Sequence, residues 1–311
     1  MIKFIIRRIL YMFFTLLVVI TITFFLIRAI PGDPLASMAR KLPEQTKLNY
    51  YAKYGLDKPI IVQYGIFLKN LILNGDLGES LTYPGRKVTK TIFEYAPVSG
   101  RLGIQAITIG FTLGIILGII AGFNRNKGPD YVVMFVAILG ISVPSFVIAS
   151  LLQYFFTVKF TLLPTIGWGA FKHTILPSIA LSFGSIAKYA RYMRANCLDV
   201  IMQDYILTAK AKGVSKFSLV TKHVIRNAIL PVITLLGPQI ALVFTGSFVI
   251  ESIFSIPGLG SYFVSSVSNR DYTMIMGQTV FISFLFVSSL LVVDLVYGLV
   301  DPRIRVGTGK K

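Results

Sequence analysis

The sequence is poor in the residues that most chemistry needs. Cys197 is its one cysteine, so an intrachain disulfide is excluded. Histidine occurs twice, at His173 and His223, and neither has a histidine or cysteine partner at metal-ligand spacing. The pattern therefore implies neither a metal nor a cofactor. No G-x-x-x-x-G-K-[ST] phosphate loop is present, so the chain is not expected to hydrolyse ATP by itself. Paired carboxylates and a nucleophile elbow are missing as well, which argues against an enzyme. Charged residues make up only 14% of the chain, and acids are the scarcer sign, 13 against 31 lysines and arginines. Asp294 is the one acid expected beside an apolar run. An acid inside a membrane is by default an ion-pathway candidate, but the position of Asp294 at the end of its run favours interfacial solvation.

Apolar residues fill the space that charge leaves. They are 54% of the chain and come in long runs, whereas a soluble domain alternates them with polar residues. A helix needs about 20 apolar residues to cross a bilayer core. The net charge of +18 raises nucleic acid as a partner, but the basic residues flank the apolar runs and form no single patch. That distribution fits a lipid bilayer and excludes nucleic acid. The fold class is accordingly an all-α polytopic membrane protein. Uncharged or nearly uncharged runs at 9–27, 102–123, 131–158, 174–187, 228–250 and 272–293 predict six transmembrane helices with both termini cytoplasmic. Lys3, Arg7 and Arg8 before the first run, Arg125 and Lys127 after the second, and the basic cluster from Lys188 to Arg226 mark the inside. The first run is too long for the core of a signal peptide and is read as a retained span.

Three regions follow: 1–30, a tail and first span; 31–94, an extracytoplasmic loop; and 95–311, a five-helix core. The loop carries nine lysines and arginines, yet the positive-inside rule is weak for loops near 60 residues. Its turn signals are Pro31-Gly32, Asn74-Gly75-Asp76 and Pro84-Gly85, with one or two amphipathic helices expected over 50–73. In the second run Gly103, Gly110, Gly114, Gly118 and Gly122 fall mostly at four-residue spacing, which lets another helix approach closely in lipid. Pro144 predicts a kink in the third run.

One stretch breaks the apolar C-terminal half. Residues 204–231 read DYILTAKAKGVSKFSLVTKHVIRNAILP. Asp204 is expected to cap a short helix over 205–212, and Gly213 to end it in the left-handed conformation. Ser215 restarts a second helix, with Phe217, Val220 and Val224 on one face and Lys216, Lys222 and Arg226 largely elsewhere. Pro231 leads into the next run. Pattern alone allows two readings with equal weight: a solvated basic loop, or a helix–Gly–helix element whose small residues, Ala209 above all, offer a docking face.

The same stretch resembles the cytoplasmic coupling loop of bacterial ABC importer permeases, in the form found in the oligopeptide/dipeptide/nickel family. The family pattern there is close to D-Y-x-x-T-A-x-A-K-G, matched by Asp204, Tyr205, Thr208, Ala209, Ala211, Lys212 and Gly213. Against the broader importer pattern Leu207 stands where a glutamate is usual, and Ile229-Leu230-Pro231 comes late. Further matches are Pro31-Gly32-Asp33-Pro34, Tyr54-Gly55-Leu56-Asp57-Lys58-Pro59, Gln63-Tyr64, Gly75-Asp76-Leu77-Gly78, Glu251-Ser252-Ile253-Phe254, Ile256-Pro257-Gly258-Leu259-Gly260 and Asp301-Pro302-Arg303. The resemblance thus covers nearly the whole chain, and it is to a B-type permease subunit. It implies the type I importer permease fold in the bacterial inner membrane, a coupling loop at about 195–228, a second permease, two cytoplasmic ATPase subunits and an external peptide-binding protein. Peptides are the implied cargo, with nickel or metal chelates as the alternative within the family. No residue of the substrate pathway is assigned. An ion-coupled secondary transporter is the competing class, but such proteins commonly show inverted repeats and intramembrane ion ligands, and neither is seen.

Overall fold

Leucine, isoleucine, valine and phenylalanine in unbroken runs leave the backbone only one way to satisfy its own polar groups in lipid, the helix. In the computed structural model, which describes residues 2–30, 45, 48, 49, 51, 52, 55–83 and 85–300, the described residues contain helices, turns and one isolated bridge, Glu79 to Lys87. The Pro31-Gly32-Asp33-Pro34 and Asp301-Pro302-Arg303 motifs, Tyr54, Pro84, Lys310 and Lys311 lie outside the described residues.

The helices are α1 (Ile2–Ala29), α2 (Ile60–Asn74), α3 (Val88–Phe123), α4 (Gly128–Ser142), α5 (Ser145–Gln153, running on as a π-turn over Tyr154–Lys159) and α6 (Lys172–Ile201). Then come α7 (Asp204–Ala211) and α8, a continuous piece built from Lys216–Ser218, a π-segment Leu219–Ile225 and Arg226–Ala228. The last are α9 (Leu230–Ile233), α10 (Leu236–Ile253), α11 (Leu259–Ser268) and α12 (Tyr272–Val300).

By length and composition α1, α3 and α12 each suffice to cross a membrane. Two bent pairs qualify only as pairs, so among the described residues the number of spans by this measure is three to five. The kink expected at Pro144 is far sharper than a kink: α4 and α5 meet at 105°. Proline has no N–H to donate and clashes with the preceding turn, and Val143 before it is extended, with φ −88° and ψ 124°. The second pair, Leu219–Ala228 with Leu230–Ile240, bends by 43° where Pro231 enters. The sixth expected span is α6. It is 30 residues long but carries Lys188, Arg191 and Arg194 in its second half, and for that reason it does not qualify on composition.

Two compact units divide the chain, residues 1–98 with 257–291, and residues 99–256 with 292–311. In the first, Ile20 and Phe24 of α1 pack with Met276 and Val280 of α12, and Tyr64, Phe67 and Leu68 of α2 lie against them. Asp271 organises the adjoining loop. It is 2% exposed and caps α12 by accepting the Met274 N–H at 3.1 Å. It also accepts the Leu81 N–H at 3.1 Å and the hydroxyl of buried Ser80. The turn at Gly75 forms as expected, with φ +59°.

In the second unit the glycine row of α3 meets α6 as the spacing predicts. A Cβ on Gly110, Gly114, Gly118 or Gly122 would lie 2.8, 2.5, 2.6 or 2.8 Å from the Cβ of Ser185, Tyr189, Met193 or Cys197. Both helices advance by four residues per contact, so they run parallel and nearly backbone to backbone. The unit has two ends. At one, Gln153 Nε2 donates to the Thr165 and Ile253 carbonyls at 2.8 and 3.3 Å, the Gly167 N–H bonds the Phe254 carbonyl, and Arg101 stacks on Trp168. At the other, α3 and α6 both finish, and the 204–228 stretch sits beneath them.

Candidate functional site

The site is that second end. α6 stops at Ile201, a turn through Met202 and Gln203 redirects the chain, and α7 begins. The expected cap is displaced by one residue. Gln203, extended at φ −76° and ψ 145°, stands at the cap position, and Asp204 is the first helical residue with no side-chain cap bond. A carboxylate in the first turn still complements the helix dipole. The Asp204 carbonyl accepts the Thr208 hydroxyl at 3.0 Å.

The end of α7 forms as its sequence dictates. Gly213 has φ +75°, its N–H donates to the Lys210 carbonyl at 3.0 Å, and the Val214 N–H donates to the Ala209 carbonyl at 3.2 Å. That pair of bonds closes a helix through a left-handed residue and satisfies two otherwise orphan carbonyls. Nothing lies within 4 Å of a Cβ placed there, so the requirement for glycine is conformational and not steric. Ser215 then opens α8, its hydroxyl accepting the Ser218 N–H at 3.4 Å.

Burial sorts the predicted residues into two sets. Ile206 and Ala209 face the body of the chain, 0% and 8% exposed, in one cluster with Tyr189, Met193 and Cys197 of α6. Ala209 is therefore an internal contact, and the expectation that it is offered to a partner is corrected. Its neighbours Tyr205, Leu207, Thr208, Ala211, Lys212 and Gly213 are exposed, Tyr205 at 45% and Leu207 at 55%. Val224, expected on an apolar face, joins this cluster with Leu219, Ala228 and Val232 of α8 and α9, which the sequence reading did not single out. The expected face Phe217–Val220–Val224 is also corrected, since Phe217 is 79% exposed. The cause is the π-segment: with five-residue hydrogen bonding, Leu219 and Val224 share a side that α-periodicity separates.

An ion pair fastens the same end. Arg194 of α6 grips Asp130 of α4 with both prongs, Nε to Oδ1 at 2.5 Å and NH2 to Oδ2 at 2.7 Å. The Asn126 N–H adds a third bond to Asp130 at 3.0 Å. Arg194, one of the basic cluster expected to mark the inside, is therefore held by an acidic partner on a neighbouring helix. Asp130, Glu251 and Asp271 are all buried, at 3%, 0% and 2%, while Asp294 is intermediate, so Asp294 is not the one acid near an apolar run. The signal for Asp130 was present in the text of the sequence, since Gly128-Pro129-Asp130 places an acid in a helix first turn.

A family model described as "Binding-protein-dependent transport system inner membrane component" matches residues 114–306, and its N-terminal companion matches residues 1–86. The dipeptide transport system permease protein DppB of Bacillus subtilis (strain 168) is 46% identical over 305 residues, 98% of each chain. The oligopeptide transport system permease protein OppB of Haemophilus influenzae is 40% identical over 307 residues, 98% of this chain and 100% of that one. Among solved structures, an amino acid ABC transporter matches at a TM-score of 0.50 and 19% identity, over 69% of this chain and 94% of that one, a likeness of fold alone. With the family model covering more than half its length, and with a left-handed Gly213 closing a helix–Gly–helix element at the end where α3 and α6 finish, the chain belongs to the family of binding-protein-dependent transport system inner membrane components.

Proposed function

We propose that the chain is a transmembrane permease subunit of an ATP-driven ABC importer for dipeptides or oligopeptides. The observation that carries this is near full-length identity of 46% and 40% to permeases named for dipeptide and oligopeptide transport. In this reading the chain is not catalytic. It pairs with a second permease, receives peptide from an external binding protein, and takes its driving force from two ATPase subunits on the cytoplasmic side of the bacterial inner membrane. The exposed face of α7, with Tyr205, Leu207, Thr208, Ala211 and Lys212, is the part that meets an ATPase. Its buried face passes the motion to α6, and the close contact of α6 with α3 passes it on to a second helix. Six crossings follow if α6 counts as a span, its cations lying toward the cytoplasmic headgroups and its apolar half held by α3 and α4.

The test is uptake of a labelled dipeptide by cells lacking their own copy of this permease. Uptake restored by the chain only when ATPase subunits and binding protein are also present is the expected result. Gradient-driven uptake by the purified chain alone, abolished by Asp294→Asn, would replace this reading with a secondary transporter. Topology is checked by single-cysteine labelling in a Cys197→Ser background: Asn70, Gly169 and Asn269 label from outside, Asn126 and Ser215 only from inside. Labelling of Ser215 in intact cells would rule out the topology.

A further inference from the structure

A groove of about 490 Å³ lies beside the coupling element and is not explained by the docking of α7. Its walls are Gly122 and Phe123 at the end of α3, Leu198, Ile201 and Met202 at the end of α6, and Val214 and Leu219 after α7. Two cations, Arg125 and Lys210, complete the lining, both exposed, and none of the lining residues is an acid. The groove therefore has an apolar floor where two helices finish and a positive rim just beyond them.

Its place on α7 separates it from the ATPase-facing side. At about 100° per residue, Ile206 and Ala209 point inward, Leu207, Thr208 and Ala211 point away, and Lys210 stands on one flank between them. Tyr205 occupies the opposite flank. The groove opens on the Lys210 flank, toward the ends of α3 and α6.

We propose that this groove holds an anionic phospholipid of the inner leaflet, its phosphate between Arg125 and Lys210 and an acyl chain against Phe123, Leu198 and Met202. The inference rests on the cytoplasmic placement of the coupling element. Charge complementarity selects the occupant: a guanidinium fork and an ammonium suit a phosphate, and basic pockets at the cytoplasmic ends of membrane helices bind anionic headgroups. An apolar floor at the depth where spans end suits an acyl chain in a way that it does not suit a soluble anion.

The experiment titrates phosphatidylglycerol, with phosphatidylcholine as control, into the delipidated transporter complex and counts bound lipid by native mass spectrometry. Each cation at the membrane surface contributes about fivefold to such binding, so Arg125→Gln with Lys210→Gln should weaken phosphatidylglycerol about thirtyfold. Phosphatidylcholine binding should not change, and the ATPase subunits should remain bound. The charge-preserving pair Arg125→Lys with Lys210→Arg should restore phosphatidylglycerol binding. Unchanged phosphatidylglycerol affinity in the glutamine variant overturns the proposal. Loss of the ATPase subunits with lipid binding intact also overturns it, and assigns the groove to a protein partner while leaving the importer reading in place. Failure of the importer reading itself shows elsewhere, as labelled-dipeptide uptake by the chain that needs neither ATPase subunits nor a binding protein.

Discussion

α6 makes two contacts of opposite character. Toward α3 it packs through a row of glycines, so that backbone lies almost on backbone, with the Phe111 ring edge-on to Tyr189 beside the row. Toward α7 and α8 it packs through side chains, Tyr189, Met193 and Cys197 against Ile206, Ala209, Leu219 and Val224. The first contact is a fixed joint, because close-packed backbones have no alternative arrangement of similar energy. The second is a joint of the kind that side-chain rearrangement can adjust. If α7 is the part an ATPase pulls, the side-chain seat is where that motion is received and the close-packed helices are where it is passed on.

The fixed joint is where substitution should hurt most. Gly118 makes the closest approach of the row to opposing backbone, since an added Cβ would meet the Ala190 carbonyl at 2.7 Å as well as the Met193 Cβ at 2.6 Å, and a backbone carbonyl cannot move aside as a side-chain tip does. Gly118→Val should force α3 from α6 and cost about 3 kcal/mol or more, the upper range for overpacking a core. Membrane abundance and protease resistance are the measurements. Normal abundance with normal uptake would show that the joint is not fixed. The corresponding change at Gly128, which has nothing within 4 Å, should be tolerated.

Asp130 ranks next. Its removal leaves Arg194 without its bidentate acceptor, but the Arg194 side chain is 25% exposed and is able to find water. The loss from Asp130→Ala should therefore be about 1–3 kcal/mol, below that for a deeply buried pair. Asp130→Arg combined with Arg194→Asp should recover part of the loss, read as thermal stability in detergent. No recovery in the swapped pair would mean that the Asn126 N–H bond, which a swapped arginine cannot accept, is what matters.

Gly213→Val tests the hinge of the compliant side. With φ +75° and open space around it, the cost is the left-handed backbone, about 1–2 kcal/mol. Abundance should fall modestly, while ATPase association and uptake fall together. Gly213→Asn, which tolerates that conformation better, should lie between valine and glycine.

These sites were not equally legible. The glycine row and the Gly213 stop were readable because each rests on one local rule, small residues every four positions and a left-handed stop after a helix. The sharp break at Pro144 was legible in place but not in size, since proline forbids a hydrogen bond without fixing the angle the chain then takes. The burial of Ala209 and exposure of Phe217 were not legible. The matched residues of α7 have no strong amphipathic period, and the π-segment of α8 shifts the phase by a residue that no composition announces. Asp130 and Asp271 were missed for another reason. Each acquires its role from a partner far along the chain, Arg194 in one case and the Ser80 loop in the other.

The smallest structural effect carries the sharpest functional expectation. Leu207 is 55% exposed on α7 and belongs to none of the buried clusters that hold α7 in place. Leu207→Arg should change stability by no more than about 0.5 kcal/mol, the usual range for an exposed position. If the outward face of α7 meets an ATPase, the same change places a long cation in that contact and should reduce copurification of the ATPase subunits at least tenfold at unchanged permease abundance. Ala209→Trp provides the opposite control. Ala209 is enclosed by the chain's own cluster, so a large ring there overpacks at about 1–3 kcal/mol and should lower abundance first, with ATPase association falling only in proportion. A permease that loses ATPase association through Ala209→Trp but not through Leu207→Arg would mean that the two faces of α7 exchange roles in the assembled transporter. The compliant seat would then be the partner's groove, and not the packing against α6.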